Sequence, residues 1–154
     1  MTEIGVIGGD EAVVTLNELY GMADKEADPI SVRRLDEDAV PQRFHVLIIN
    51  GSGFIAPKFV RELQPGDAVV VNTDNKTLYS YLKGCRGRLI TYGFNSKACV
   101  TASSVIDKPY ECIQFCIQRS LPTLSGGVLE PQEFPVTFKS PKNIYCALGA
   151  VAAA

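Results

Sequence analysis

The chain has 154 residues, the length of one ordinary domain. At 46% hydrophobic and 21% charged residues it holds ample apolar material for one packed core, which excludes intrinsic disorder. Its 15 basic and 17 acidic residues leave a formal net charge of −2, so no basic excess points to nucleic acid or to an anionic membrane surface.

The first part alternates strand and helix signals. Glu3 to Ile7 is a short apolar run that breaks at Gly8-Gly9. Asp10 has the character of an N-cap, and Ala12, Leu16, Leu19 and Tyr20 recur at helical spacing until Gly21. After a polar loop, Ser31 to Leu35 fits a short edge strand. Phe44 to Ile49 is rich in β-branched and apolar residues and is bounded by Asn50-Gly51-Ser52-Gly53. Pro57 opens a helix with Ala56, Phe59, Val60 and Leu63 on one face, and Gln64-Pro65-Gly66-Asp67 is a turn. Ala68 to Val71 is another continuous apolar strand, ending at Asn72-Thr73-Asp74. Leu78 and Leu82 mark a short helix, and Arg88 to Thr91 a further strand. Continuous apolar strands separated by helices predict a parallel sheet covered on both faces.

Near Tyr92-Gly93 the pattern changes. Val100 to Ile106, Tyr110 to Gln118 and Phe134 to Phe138 read as strands, punctuated by Pro109, Pro122, Gly126-Gly127 and Pro131. Ser140 and Pro141 then supply an N-cap and an N1 proline, and Ile144, Ala147, Leu148 and Val151 form one apolar helix face. The expected fold class is therefore α/β: a mostly parallel sheet flanked by helices, with a small appended antiparallel β region. One domain is expected over 1–154, divided into a parallel α/β part (1–96), a small antiparallel part (97–139) and a helix (140–154) that returns to the α/β part. The chain reaches Ala152-Ala153-Ala154 in the middle of that helix, a hint of a piece cut from something longer.

No window holds the ~18 continuous apolar residues of a membrane helix, and Met1-Thr2-Glu3-Ile4 lacks the basic and apolar regions of a secretory signal, so a cytoplasmic protein is expected. Five cysteines (Cys85, Cys99, Cys112, Cys116 and Cys146) are an odd number that fits reduced thiols better than a disulfide scaffold. Cys112 and Cys116 share a strand face, but the single histidine, His45, is far away in sequence, and no metal site is expected.

In open α/β sheets ligands bind beyond the carboxyl ends of the strands, which singles out three loops. Gly8-Gly9-Asp10-Glu11-Ala12-Val13 has the glycines of a phosphate loop but neither its lysine nor its hydroxyl, and its two carboxylates already complement the helix dipole. Ser52 sits between glycines without the spacing of a nucleophile elbow, and with His45 seven residues earlier on a strand a Ser-His-Asp triad has little support. Asn72-Thr73-Asp74-Asn75-Lys76 is suited either to capping the next helix or to hydrogen-bonding a ligand at the sheet edge. No catalytic residue is assigned.

These pieces, in this order, resemble the central domain of the Mur ligase family, the ATP-dependent amide-forming enzymes of peptidoglycan assembly. Asp67 to Asp74 is similar to the family's strand ending in Asn-x-Asp, and Leu89 to Phe94 to the strand that follows. Ala98 to Val105 is similar to the first strand of its small β region, and Ser140 to Val151 to its G-x-H-N-x-x-N-A-L-A-A helix. Asn72, Asp74, Lys76, Lys142 and Asn143 are the expected cofactor-binding residues, and the resemblance implies an adenine-side role for Asn143. It also exposes departures. Against the family loop G-T-x-G-K-T/S, Glu11 replaces the second glycine, Ala12 the lysine and Val13 the hydroxyl residue. Asn50 stands where the family has a metal-binding glutamate, Lys142 replaces the histidine of the last helix and Cys146 its second asparagine. The segment with a histidine ligand and a modified lysine is expected to be missing between Asn50 and Ala68, and no counterpart of the family's C-terminal domain is expected within these 154 residues.

The resemblance implies ATP and Mg²⁺ for the family, whereas these departures lead us to expect neither here. The expected function is a Mur-ligase-like domain without ATP-dependent ligase activity, acting as a ligand- or partner-binding relative linked to peptidoglycan metabolism. Two alternatives stay open. One is an ATP-dependent amide ligase fragment with an unusual nucleotide site drawing phosphate charge from Lys76, Lys142 and Arg88. The other is a structural or oligomerisation domain. Expected partners are a nucleotide or other small molecule, a protein or a second copy of the chain, and neither nucleic acid nor membrane.

Overall fold

The computed structural model describes residues 1–22, 29–50, 55–106, 111–138 and 144–153. Five strands, β1 (Thr2–Ile7), β2 (Ile30–Leu35), β3 (Val46–Ile49), β4 (Ala68–Asn72) and β5 (Arg88–Tyr92), pair in parallel. β6 (Val100–Ile106) joins them in parallel through the Tyr92–Val100 pair. β7 (Glu111–Ile117) turns back antiparallel to β6. β8 (Leu121–Pro122) and β9 (Val128–Leu129) form a separate small ribbon, and β10 (Gln132–Phe138) pairs antiparallel with β7. The order β10-β7-β6-β5-β4-β3-β1-β2 makes one eight-stranded sheet. The antiparallel region expected as an appendage is thus a continuation of the parallel sheet.

The apolar runs explain the layering. Every residue of Val46–Ile49 and of Ala68–Val71 is buried, because successive side chains enter opposite cores. Ile4, Val6, Val46, Ile48 and Val70 face one core, which also buries Ala12 and Leu16 of α1 (Asp10–Met22). Ile7, Leu47, Ile49, Val69 and Val71 face the other, with Phe59 and Val60 of α2 (Ala56–Val60) and the following Leu63. Each such side chain contributes on the order of 1.5–3 kcal/mol when fully buried. Cys146, Ala150 and Ala152 of α3 (Ile144–Ala153) complete the first core, with Val151 half-buried. The face expected from Ile144, Ala147 and Leu148 concerns side chains outside the described set, as do the expected N-cap Ser140 and Pro141.

Asp10 is the first residue of α1 and not the N-cap expected from the sequence. The Gly9 carbonyl accepts the Ala12 N–H at 3.2 Å, and the Asp10 carboxylate instead accepts from Arg34 at 2.7 Å. The short helix after β4 is a 3-10 helix, Lys76–Leu82. β2 is an edge strand, as expected. The other edge, β10, accommodates Pro135 because an edge strand can spare a ladder donor. The turn before β4 is fixed by Asp67. Its side chain is 2% exposed and accepts from Arg43 Nε and Nη2, both at 2.8 Å, and from the Gln64 N–H at 2.7 Å.

Sheet order reverses between β1 and β3. From β1 the chain moves outward to β2, then returns to the far side of β1 and proceeds through β3, β4 and β5. This switch point places the β1–α1 turn, the end of β3 and the ends of β4 and β5 along one rim, where open α/β sheets form their binding crevice.

Candidate functional site

At the switch point two residues, Gly8 and Gly9, connect β1 to α1. Gly8 has φ +151°, and a Cβ there would lie 2.3 Å from the Asn50 carbonyl oxygen. Only glycine lets the turn pass so close to β3. A phosphate loop needs several residues whose N–H groups encircle a phosphate, followed by a lysine and a hydroxyl. Here the turn is too short to encircle an anion, and Asp10 and Glu11 occupy the first turn of the helix. Ala12, which stands for the family's lysine, is 3% exposed and packs into the core beneath α1. The described residues therefore do not fit the triphosphate and Mg²⁺ that the resemblance implies.

Two of the departures touch each other. Asn50 donates through Nδ2 to the Cys146 sulfur at 3.0 Å, joining the end of β3 to α3 across 96 positions of sequence. Burial pushes the Cys146 thiol up, the nearby Glu11 carboxylate adds to this, and the Asn50 hydrogen bond opposes it. Beneath this contact, Tyr92 is fully buried and donates to the Ile49 carbonyl at 3.3 Å, its hydroxyl held well above the usual range by burial. Gly149 makes room for that ring, since a Cβ there would lie 3.2 Å from it.

The structure places Asn72, Asp74 and Lys76 in one loop at the end of β4. The Asn72 side chain accepts the Asp74 N–H at 2.9 Å, and Asn75 caps the 3-10 helix by accepting the Thr77 N–H at 3.2 Å. Asp74 accepts on Oδ2 from the Phe94 N–H (2.8 Å) and the Tyr145 hydroxyl (3.0 Å), and on Oδ1 from the Asn95 amide (2.8 Å). Burial pushes the Asp74 carboxyl up, but the hydrogen bonds from Phe94, Asn95 and Tyr145 outweigh it and hold the carboxyl below its ordinary range. Gly93 (φ +152°) permits this approach, because a Cβ there would lie 2.8 Å from Asp74 Oδ1. The loop thus caps itself and clasps the start of α3. Asn72 and Asp74 spend acceptors on the fold, and Lys76 is exposed with no ion pair among the described residues.

Lys142 and Asn143, and with them the rest of the expected nucleotide set, lie outside the described residues, as does Ser52. Arg88 does not join Lys76. It opens β5 opposite Ala68, at the amino ends of the strands, about 13 Å from the rim at ~3.3 Å per residue. Sequence reasoning missed Tyr145, Asn95 and Phe94, the donors around Asp74. The one local signal was Gly93 directly after an apolar strand. Among the described residues no three or more of His, Cys, Asp or Glu group to hold a metal ion, and no helix is long and apolar enough to cross a membrane.

Comparison with solved structures shows the same fold in Mur ligases. The chain is similar to the UDP-N-acetylmuramoylalanyl-D-glutamyl-2,6-diaminopimelate–D-alanyl-D-alanyl ligase of Acinetobacter baumannii. The TM-score is 0.63 at 14% identity, over 99% of this chain and 42% of that one. It is also similar to a murein peptide ligase of Psychrobacter arcticus 273-4, with a TM-score of 0.69 at 12% identity over 98% of this chain and 43% of that one. The chain therefore spans less than half the length of these ligases. No protein-family model matches the sequence, and no curated protein does. The α/β fold with its mostly parallel, mixed eight-stranded sheet is that of Mur ligase domains.

Proposed function

We propose that this chain is a Mur-ligase-like domain that does not hydrolyse ATP and that binds a ligand or partner at the carboxyl rim of its sheet, in the service of peptidoglycan metabolism. The observation that carries this reading is the β1–α1 connection. A two-residue turn leads straight into an acidic helix start, and Ala12 is buried where the family's lysine stands. Phosphoryl transfer depends on positioning and on neutralising charge in the transition state. Ala12, Val13 and Asn50 remove the lysine, the hydroxyl and the metal carboxylate together, and Asn50 is engaged with Cys146. The link to peptidoglycan rests on the printed identities of the two ligases whose fold the chain shares. The alternative of a ligase drawing phosphate charge from Arg88 loses support, because Arg88 is at the opposite end of the sheet.

Calorimetric titration with ATP and Mg²⁺, together with a phosphate-release assay, tests the proposal. We expect no binding heat beyond dilution and no released phosphate. Micromolar binding accompanied by turnover overturns it.

A further inference from the structure

One hollow lies far from the rim. A cavity of about 450 Å³ opens at the amino ends of the parallel strands, between the end of α3 and the β8–β9 ribbon. Its volume is that of a small-molecule site, typically ~300–1,000 Å³. Its walls are apolar, including Ile90, Val100, Leu121 and Leu129. Leu124 and Leu129, which also line it, are 46% and 43% exposed and so mark its mouth.

Few polar groups converge on it. Arg88 lines the cavity. Its Nη2 donates to the Gly66 carbonyl at 3.0 Å, and it has no carboxylate partner among the described residues. The Tyr20 hydroxyl, also in the wall, makes no hydrogen bond with a described residue. A second, polar hollow of about 340 Å³ shares Thr2, Leu124 and Ser125 with the first. It is lined by His45 and by the Arg43–Asp67 pair. His45 Nδ1 accepts the Glu3 N–H at 3.0 Å, which leaves Nε2 as the nitrogen that carries the proton. Asp67 offers little repulsion, since both its oxygens are occupied by Arg43 and one also by the Gln64 N–H. The two adjoining hollows thus set an apolar interior beside an uncompensated guanidinium and an imidazole N–H.

We propose that this amino-end cavity binds a small amphipathic carboxylate, its apolar body against Ile90, Val100 and Leu129 and its head on Arg88. A guanidinium matches a carboxylate in shape and charge, and a charge-assisted hydrogen bond there gains strength from the apolar wall beside it. The site is separate from the carboxyl rim and does not depend on what binds there.

The probes are 8-anilinonaphthalene-1-sulfonate, an apolar body with an anionic head, and N-phenyl-1-naphthylamine, the same rings without the charge. We expect one saturable sulfonate site per folded chain. Decanoate displaces the sulfonate probe, and 1-decanol does so at least about tenfold less well, the loss of one charge-assisted contact. Arg88→Gln weakens the sulfonate probe by about the same factor and leaves the neutral probe within about twofold. Leu129→Glu at the exposed mouth weakens both probes, and thermal melts confirm that both variants are folded. Absence of saturable binding, an unchanged sulfonate affinity in Arg88→Gln, or equal competition by decanol and decanoate overturns the proposal. A dimer in sedimentation that Leu129→Glu dissociates, with probe binding only to the monomer, also overturns it by showing that a second copy covers this face.

Discussion

Asp74 holds groups from two other parts of the chain: the backbone of Phe94 and amide of Asn95 after β5, and the hydroxyl of Tyr145 on α3. A carboxylate can accept all of these at once, whereas a carboxamide turns a donor toward one of them. Asp74→Asn is therefore expected to destabilise the chain by about 1 kcal/mol at neutral pH, a modest figure because the site is exposed. The effect is pH-dependent with a definite sign. The folded Asp74 carboxyl lies below its ordinary range, so near pH ~4 the unfolded chain binds the proton more readily than the folded one. The stabilisation is complete above that range and fades as pH falls through the folded value. Urea denaturation from neutral pH to about 3 should show the gap between wild type and Asp74→Asn closing. A gap that is constant with pH would assign the loss to shape and not to charge. Asp67 follows the same sign. Burial pushes its carboxyl up, but the hydrogen bonds from Arg43 and Gln64 and the Arg43 charge outweigh it.

At the scale of elements, the β1–α1 turn makes the sharpest contrast between neighbours. A Cβ on Gly8 would run into the Asn50 carbonyl oxygen, while a Cβ on Gly9 would meet nothing within 4 Å. Gly8→Ala must push β1 and β3 apart at the switch point and adopt a backbone conformation unfavourable to alanine, at a cost of order 1–3 kcal/mol. Gly9→Ala should leave the melting temperature nearly unchanged. Equal effects in thermal melts would remove the case for a tightly closed turn. The strands of this rim were legible in the sequence because Val46–Ile49 and Ala68–Val71 are buried on both faces and so read as unbroken apolar runs. The start of α1 was displaced by one residue because glycine and aspartate are both good caps, and the pull of Arg34 on Asp10 is invisible locally. The Asn50–Cys146 and Asp74–Tyr145 contacts were not legible. They join residues 96 and 71 positions apart, and only the packing of α3 over the sheet ends brings them together. Single-sequence patterns report what a segment is and not which loop it meets.

For the whole molecule, the question is whether the antiparallel part is a unit of its own. The parallel ladder between β5 and β6 is a single pair, Tyr92 with Val100, which by itself would be a weak seam. The core crosses that seam. Ile113, Phe115 and Phe138 belong to the same buried cluster as Ile4, Val46 and Val70. Tyr92, fully buried, stands in that cluster and reaches over β4 to the Ile49 carbonyl of β3. Continuity of the core should therefore make both parts unfold together. Phe115 is fully buried and stacks on Phe134 with ring centroids 5.9 Å apart. Phe115→Ala opens a cavity worth about 3–5 kcal/mol, a large share of the ~5–15 kcal/mol that holds a domain folded. In native-state hydrogen exchange, this variant should lower the protection of Ile48 and Val70 amides by the same free energy as that of Ile113. Loss confined to β6, β7 and β10, with β3 and β4 as protected as before, would mean that the sheet is continuous in geometry but divided in energy at Tyr92.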